Sequence, residues 1–333
     1  MAILSNVVVS DAGFITLPIG NVAQRPVSPA TGMVRTNASS LQIETYSGTA
    51  WQNFVPTAGI FVYLWGAGGA GGTPGGWVYG APGGGGGFAY GQLVNVTAGD
   101  TFILVVGGGG IINSTSGAFG GGGRASVNGV DNRYGGGGGG YTGLFRTSVS
   151  QANAVLIAGG GGGGGSSRAG TGNQGGSGGG LYGQIGVAPY DGKSAYAGNP
   201  GGPYSAGADA SSDSANTAGN QGALQGGNPR TNCYGGAGGG GYWGGSAGGY
   251  TESNTMGGGA GGSGFINQSY IVNGVSFGGN LNVPGGIASS YYTGSYGYGG
   301  AVSGNGSNGY AVIVKNGVVT TYTYTGSNIT ITI

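Results

Sequence analysis

The stretch FVYLWGAGGAGGTPGGW, from Phe61 to Trp77, opens as an apolar strand and turns into glycine where a folded chain is ordinarily most ordered. After Trp65, Gly66, Gly69, Gly72 and Gly75 fall at every third residue, Ala67, Ala70 and Thr73 form a second row, and Gly68 and Gly71 a third. Gly235, Gly238, Gly241 and Gly244 repeat the spacing, and 159–165 is glycine throughout. A period of three is that of a left-handed polyproline-II-type helix, which rises about 3.1 Å per residue and makes no hydrogen bond within itself. Its amides and carbonyls point outward, so such helices form only side by side, with hydrogen as the side chain on the inward rows. At that rise 159–165 spans roughly 20 Å, the length of an ordinary strand.

Such a chain faces an energetic problem, because each glycine loses roughly 0.5–1 kcal/mol more in backbone freedom than alanine. The offset has to come from N–H···O bonds between segments, from Cα–H···O contacts of about 0.5–1 kcal/mol each, and from docking on an aromatic β core. The alternative is disorder, which 92 Gly and 11 Pro in 333 residues without a collagen repeat ordinarily signal. Against it stand a charged fraction of only 5% and a supply of 21 Tyr, 9 Phe and 4 Trp. Glycine is therefore read as structural. Trp65, Trp77, Phe88 and Phe119 are candidate lids between a sheet layer and a glycine layer, and Tyr242 and Trp243, embedded in glycine, are expected to cover the glycine bundle.

Residues 1–54 contain little glycine and form a candidate anchoring or assembly module. VVVS, FITL, GMVRTN and LQIETYSG read as short strands, and Pro26 to Pro29 as an extended connection. From residue 55 to 333, strand-like pieces alternate with glycine: GIFVYLWG, FAYGQLVNV, DTFILVVG, NAVLIAG, SGFIN, YIVNGVSF, GYAVIVKNGVVTTYTYT and NITITI. Asn316-Gly317 separates two β-rich arms and predicts a type I′ hairpin, as do Asn128-Gly129 and Asn273-Gly274. Helical periodicity is absent, so the expected class is all-β.

Several function classes fall away. The net charge of +1 is spread over isolated residues such as Arg25, Arg124 and Lys193, which gives no basic face for nucleic acid. No stretch approaches the roughly 20 apolar residues of a membrane span, and MAILSNVVVSDAG lacks the features of a signal peptide. With no His, scattered carboxylates and serines without a base, neither a triad nor an acid/base pair can be assembled, so no enzyme and no cofactor is expected. Cys233 is alone, and Asp209, Asp213 and Asp131 beside Asn132 read as solvated loop groups rather than a metal set. No phosphate-loop motif is present.

AQRPVSP, TGMVRTN and YSGTAW resemble a module common in bacteriophage tail-fibre and related structural proteins. VPTAGIFVYLWGAGGAGG, GGFAYGQLVNVTAGDTFILVVGGGG and AVLIAGGGGGGGG resemble the glycine-rich domains of phage tail-fibre tips. They are also similar to the glycine-rich region of anaplastic-lymphoma-kinase-type receptors. The resemblance implies a jelly-roll-like β-sandwich combined with a polyglycine-II helix bundle. It further implies a virion or extracellular protein that binds a host surface receptor, a glycan or an outer-membrane protein. Tyr182, Tyr190, Tyr196 and Tyr204, and a second cluster of Tyr291, Tyr292, Tyr296 and Tyr298, are the candidate receptor contacts, since Tyr on loops offers stiff contact area and a hydroxyl. Capping the edges of the glycine lattice, or packing between fibres, is the competing reading of the same residues. The alternative function is a structural subunit that assembles into a homo-oligomer or filament, donating a terminal strand such as SNVVVS or NITITI to a neighbour's sheet edge.

Overall fold

The computed structural model describes residues 18–38, 42–53, 59–75, 79–126, 134–167, 173–187, 202, 205, 222–229, 234–249 and 256–333. The chain divides into two compact units, Met1–Ala58 and Gly59–Ile333. The protein is all-β, with several sheets, two three-residue 3-10 turns and no α-helix among the described residues.

In the first unit β1 (Ile19–Gly20), β2 (Val34–Asn37), β3 (Gln42–Tyr46) and β4 (Trp51–Asn53) form one sheet in that order, β1 parallel to β2 and the rest antiparallel. GMVRTN and LQIETYSG supply β2 and β3 as the sequence predicts, whereas VVVS lies outside the described residues. The centre of this unit is charged. Glu44, fully buried, accepts from Arg25 at 2.5 and 3.2 Å and from Asn37 Nδ2 at 3.2 Å. Arg35 Nε lies 3.2 Å from Glu44 Oε1 but off the hydrogen-bond direction. The Arg35 guanidinium also donates to the carbonyls of Asn21 and Gln24. Both guanidinium groups sit 5.9 Å from the Trp51 ring. A carboxylate without water is tolerated only when paired and hydrogen-bonded; AQRPVSP supplies Arg25, TGMVRTN supplies Arg35 and Asn37, and YSGTAW supplies the Trp51 ring beside both guanidinium groups.

The second unit holds β5 (Ile60–Trp65), β6 (Tyr79–Gly80), β7 (Phe88–Leu93), β8 (Thr101–Val105), β9 (Thr142–Phe145), β10 (Ala154–Ala158), β11 (Ser166–Ser167), β12 (Phe265–Ile266), β13 (Ile271–Phe277), β14 (Tyr310–Lys315), β15 (Val318–Thr323) and β16 (Ile329–Thr332). Two five-stranded sheets run β13-β7-β5-β14-β15 and β12-β10-β9-β8-β16, and β6 pairs with β11. The period-two alternation of IFVYLW sets its role: Val62 and Leu64 join Leu93, Phe102, Leu104, Leu144, Leu156 and Ile313 in one buried core, while Phe61, Tyr63 and Trp65 face the other side. The terminal strand from NITITI is β16, paired inside its own chain with β8 through Ile329 to Leu104 and Thr332 to Thr101.

Asn316 and Gly317, at φ 50° and 80°, form the two-residue link between Lys315 and Val318, as the sequence predicts. Asn273-Gly274 does not make the predicted hairpin. Val272 and Val275 on either side of it both pair with β7, and the register shifts between them, so the one extra residue is absorbed as a bulge. Asn128-Gly129 lies outside the described residues.

The glycine segments continue the strands. Trp65 is followed by Gly66, Ala158 by Gly159, and Gly87, Gly264 and Gly309 precede β7, β12 and β14. In 159–165 the amides of Gly160 and Gly163 donate to Gly240 and Ala237, those of Gly161 and Gly164 to Ala67 and Ala70, and those of Gly162 and Gly165 to Gly176 and Asn173, all at 2.8–2.9 Å. The carbonyls of the same run accept from 81–87, 136–139 and 259–262. The run is thus enclosed by six other segments, three receiving its donors and three its acceptors. A Cβ on Gly160, Gly161 or Gly162 would stand 2.1–2.2 Å from the carbonyl oxygens of Gly139, Gly84 and Gly259, so only glycine allows this approach on all three sides. The segment after Trp65 behaves alike. Gly66, Gly69 and Gly72 donate to 81–87, Ala67, Ala70 and Thr73 to 134–140, and Gly68 and Gly71 to Ser307 and Gly304.

Candidate functional site

Sheet register gathers aromatic rings on the outer face of the β13-β7-β5-β14-β15 sheet. Opposed residues across the strands give one row of Phe277, Phe88, Trp65 and Tyr310 and a second of Tyr90 and Tyr63. Phe277 and Phe88 lie nearly parallel with centroids 6.2 Å apart, and Tyr90 and Tyr63 likewise at 5.3 Å. Trp65 is completely buried, 4.8 Å from Phe88 and 5.5 Å from Tyr310, and its indole N–H has no hydrogen-bond partner among the described residues.

The segment 284–298 lies over this face. Gly286, at φ 68°, passes so close to Phe88 that a Cβ there would meet the ring at 2.3 Å. Tyr291 then packs 4.7 Å from Tyr63, Tyr292 5.6 Å from Trp65, and Tyr296 stacks on Tyr310 at 4.5 Å. The Tyr292 hydroxyl donates to the Tyr296 carbonyl at 2.7 Å, tying the cover to itself. Burial, with the Tyr291 and Tyr90 phenols beside it, pushes the Tyr63 hydroxyl up to about 12. Burial, together with Tyr298, pushes Tyr292 up as well.

Of the residues singled out in the sequence, Tyr291, Tyr292, Tyr296 and Tyr298 come together here and are half-buried, three of them packed on strand aromatics. Tyr182 stands elsewhere, 62% exposed, on the surface segment 181–187. There Gly183 and Gly186 sit against the carbonyls of Gly261 and Gly258, and Leu181, Ile185 and Val187 are exposed beside Tyr182. Tyr190, Tyr196 and Tyr204 lie outside the described residues, as do Trp77, Cys233, Asp131, Asp209 and Asp213. Trp65 and Phe88 occupy the junction where strands meet glycine. Phe119 and Tyr242 instead cover the outer face of the second sheet, Tyr242 stacked on Phe265 at 3.9 Å. Tyr63, Tyr90 and Phe277 were not singled out by sequence reasoning; the alternating aromatics of FVYLW and FAYGQL carry the signal for the first two, and Phe277, the lone aromatic of IVNGVSF, has none.

Among the described residues no group of three or more His, Cys, Asp or Glu could hold a metal ion, and no helix is long and apolar enough to cross a membrane. The chain matches no protein-family model and no curated protein sequence.

Proposed function

We propose that the second unit is a jelly-roll-like sandwich carrying a polyglycine-II bundle, and that the protein is a bacteriophage tail-fibre or fibre-tip protein that binds a host cell surface. The threefold rotation of hydrogen-bond partners along 159–165 supports the bundle. The observation that carries the binding role is the segment 181–187. Its glycine row is docked on neighbouring backbone, so Leu181, Tyr182, Ile185 and Val187 are held rigidly in solvent, an apolar ridge of the kind that marks interaction sites. Binding to bacterial cells tests this. The purified protein is expected to be retained on one strain of a panel and to compete with phage adsorption to it. Retention is expected to fall roughly tenfold in the Tyr182→Ala/Ile185→Ala protein, the loss of about 1.4 kcal/mol of contact. Retention on no strain, or equal retention of both proteins, defeats the reading.

A second reading, assembly into a fibre, draws on β15. Val318–Thr323 ends its sheet, pairs only with β14 among the described residues and carries no charge, so its outer edge is suited to a strand from another subunit. Because β16 is used within its own chain, assembly in this reading runs through β15 and not through donation of NITITI. Negative-stain microscopy separates the two readings: uniform filaments favour assembly, discrete particles favour the tip.

A further inference from the structure

The tyrosine cover leaves part of the aromatic face open. Tyr63, Tyr90 and Phe277 from the strands and Ser289, Ser290 and Tyr291 from the cover line a cavity of about 370 Å³, within the range of about 300–1,000 Å³ usual for small-molecule sites. Phe277 is 54% exposed, so the row of rings ends in a free aromatic surface parallel to Phe88.

The chemistry of the lining is selective. None of the residues lining it is Asp, Glu, Lys or Arg, so a charged ligand would be stripped of water without a counter-charge. A purely apolar ligand would leave the O–H donors of three phenols and two serines buried without an acceptor from it. Ser289 Oγ accepts from the Tyr291 amide at 3.3 Å, which leaves its proton free to donate outward. What satisfies both demands is a neutral molecule with a flat C–H face and a rim of hydroxyl groups.

We infer that this shelf binds a neutral hexopyranose, the sugar's C–H face resting on Phe277 and Tyr90 and its hydroxyls bonded to Ser289, Ser290 and the phenols of Tyr63 and Tyr291. The inference names a ligand class for the surface-binding role proposed above and rests on that reading.

Saturation-transfer NMR on the full chain, with methyl α-D-mannopyranoside, methyl α-D-glucopyranoside, methyl β-D-galactopyranoside and their neutral trisaccharides as probes, tests it. At least one probe is expected to receive saturation on its ring C–H protons and to bind saturably. Phe277→Ala is expected to weaken that probe roughly tenfold, and Tyr63→Phe, which keeps the ring and removes only the hydroxyl, by a smaller factor. Ser290→Ala, on an exposed position, provides a variant whose folding is not in question and is also expected to weaken it. Transfer to none of the probes, or affinities unchanged in all three variants, overturns the inference. Cell retention distinguishes the two ideas. Equal retention of wild type and Phe277→Ala, with no sugar bound, overturns the shelf and leaves the surface role standing. Sugar binding lost in Phe277→Ala, with retention on no strain, supports the shelf and defeats that role.

Discussion

Gly66 donates its amide to the Gly87 carbonyl at 2.9 Å, directly beyond the Trp65–Phe88 pair that closes the β5–β7 ladder. A strand pair therefore becomes a glycine pair without losing its hydrogen-bonded neighbour, and Gly87 in turn donates to Gly159 at the end of β10. The sheets fix the spacing at which glycine segments begin, and the segments satisfy the backbone groups that the strand ends would otherwise leave unpaired.

Alanine at Gly162 would place its Cβ 2.2 Å from the Gly259 carbonyl oxygen, with backbone on every other side. Gly162→Ala is expected to cost more than about 3 kcal/mol, beyond the usual penalty of overpacking. Gly222→Ala, where a Cβ meets nothing within 4 Å, is expected to change stability by less than about 1 kcal/mol. Chemical denaturation of the two variants checks the contrast, and equal losses would contradict the enclosure of 159–165.

Hydrogen exchange gives a second measure. The amides at 160–165 are all bonded to other segments and buried, so they are expected to exchange only through global unfolding. Mass spectrometry of a peptide covering 159–165 reads this directly, and exchange there as fast as in free peptide would refute it.

The first unit is expected to be sensitive to acid. Hydrogen bonding from Arg25, with Asn37 and Arg35 adding to it, holds the Glu44 carboxyl below its ordinary value of 4.5. A carboxyl whose folded value is depressed stabilises the fold above its unfolded value, and that contribution disappears as pH falls through the folded one. The melting transition of this unit should therefore drop on acidification below about pH 4.5, and Glu44→Gln should melt lower at pH 7 with a flatter pH dependence. Thermal scans at pH 7, 4 and 3 decide it.

At the alkaline end the sign reverses. Tyr63 is raised to about 12, chiefly by burial, so the stability tied to its neutral form is intact below about pH 10, the unfolded value, and is lost as pH rises through 12. Absorbance titration at alkaline pH should show a late-ionising tyrosine that vanishes in Tyr63→Phe.

The strands of the second unit were legible because IFVYLW, TFILV and YAVIVK alternate or run apolar over strand length, and the Asn316-Gly317 turn because both residues need positive φ. β9 was missed, since Thr142–Phe145 is four residues set one residue beyond a glycine run and offers no pattern of its own. Asn273-Gly274 misled because the same dipeptide serves a turn or a bulge, and only the pairing of Val272 and Val275 with one strand decides between them. Spacing exposed the three rows after Trp65, but not which segment each row would meet. The site was the least legible part. Tyr291, Tyr292 and Tyr296 stood out by ring density, but their partners Tyr63, Trp65 and Tyr310 are brought to them by sheet register, which composition does not encode.

The enclosure of 159–165 also bears on how such a gene can diversify. Any amino-acid substitution at those positions adds at least one carbon where a carbonyl oxygen already stands, so descendants keep the bundle nearly letter for letter. Heritable novelty is then steered into the links between segments and onto outward positions such as Tyr182 and Ile185, where a lineage can change what it touches without rebuilding what holds it up.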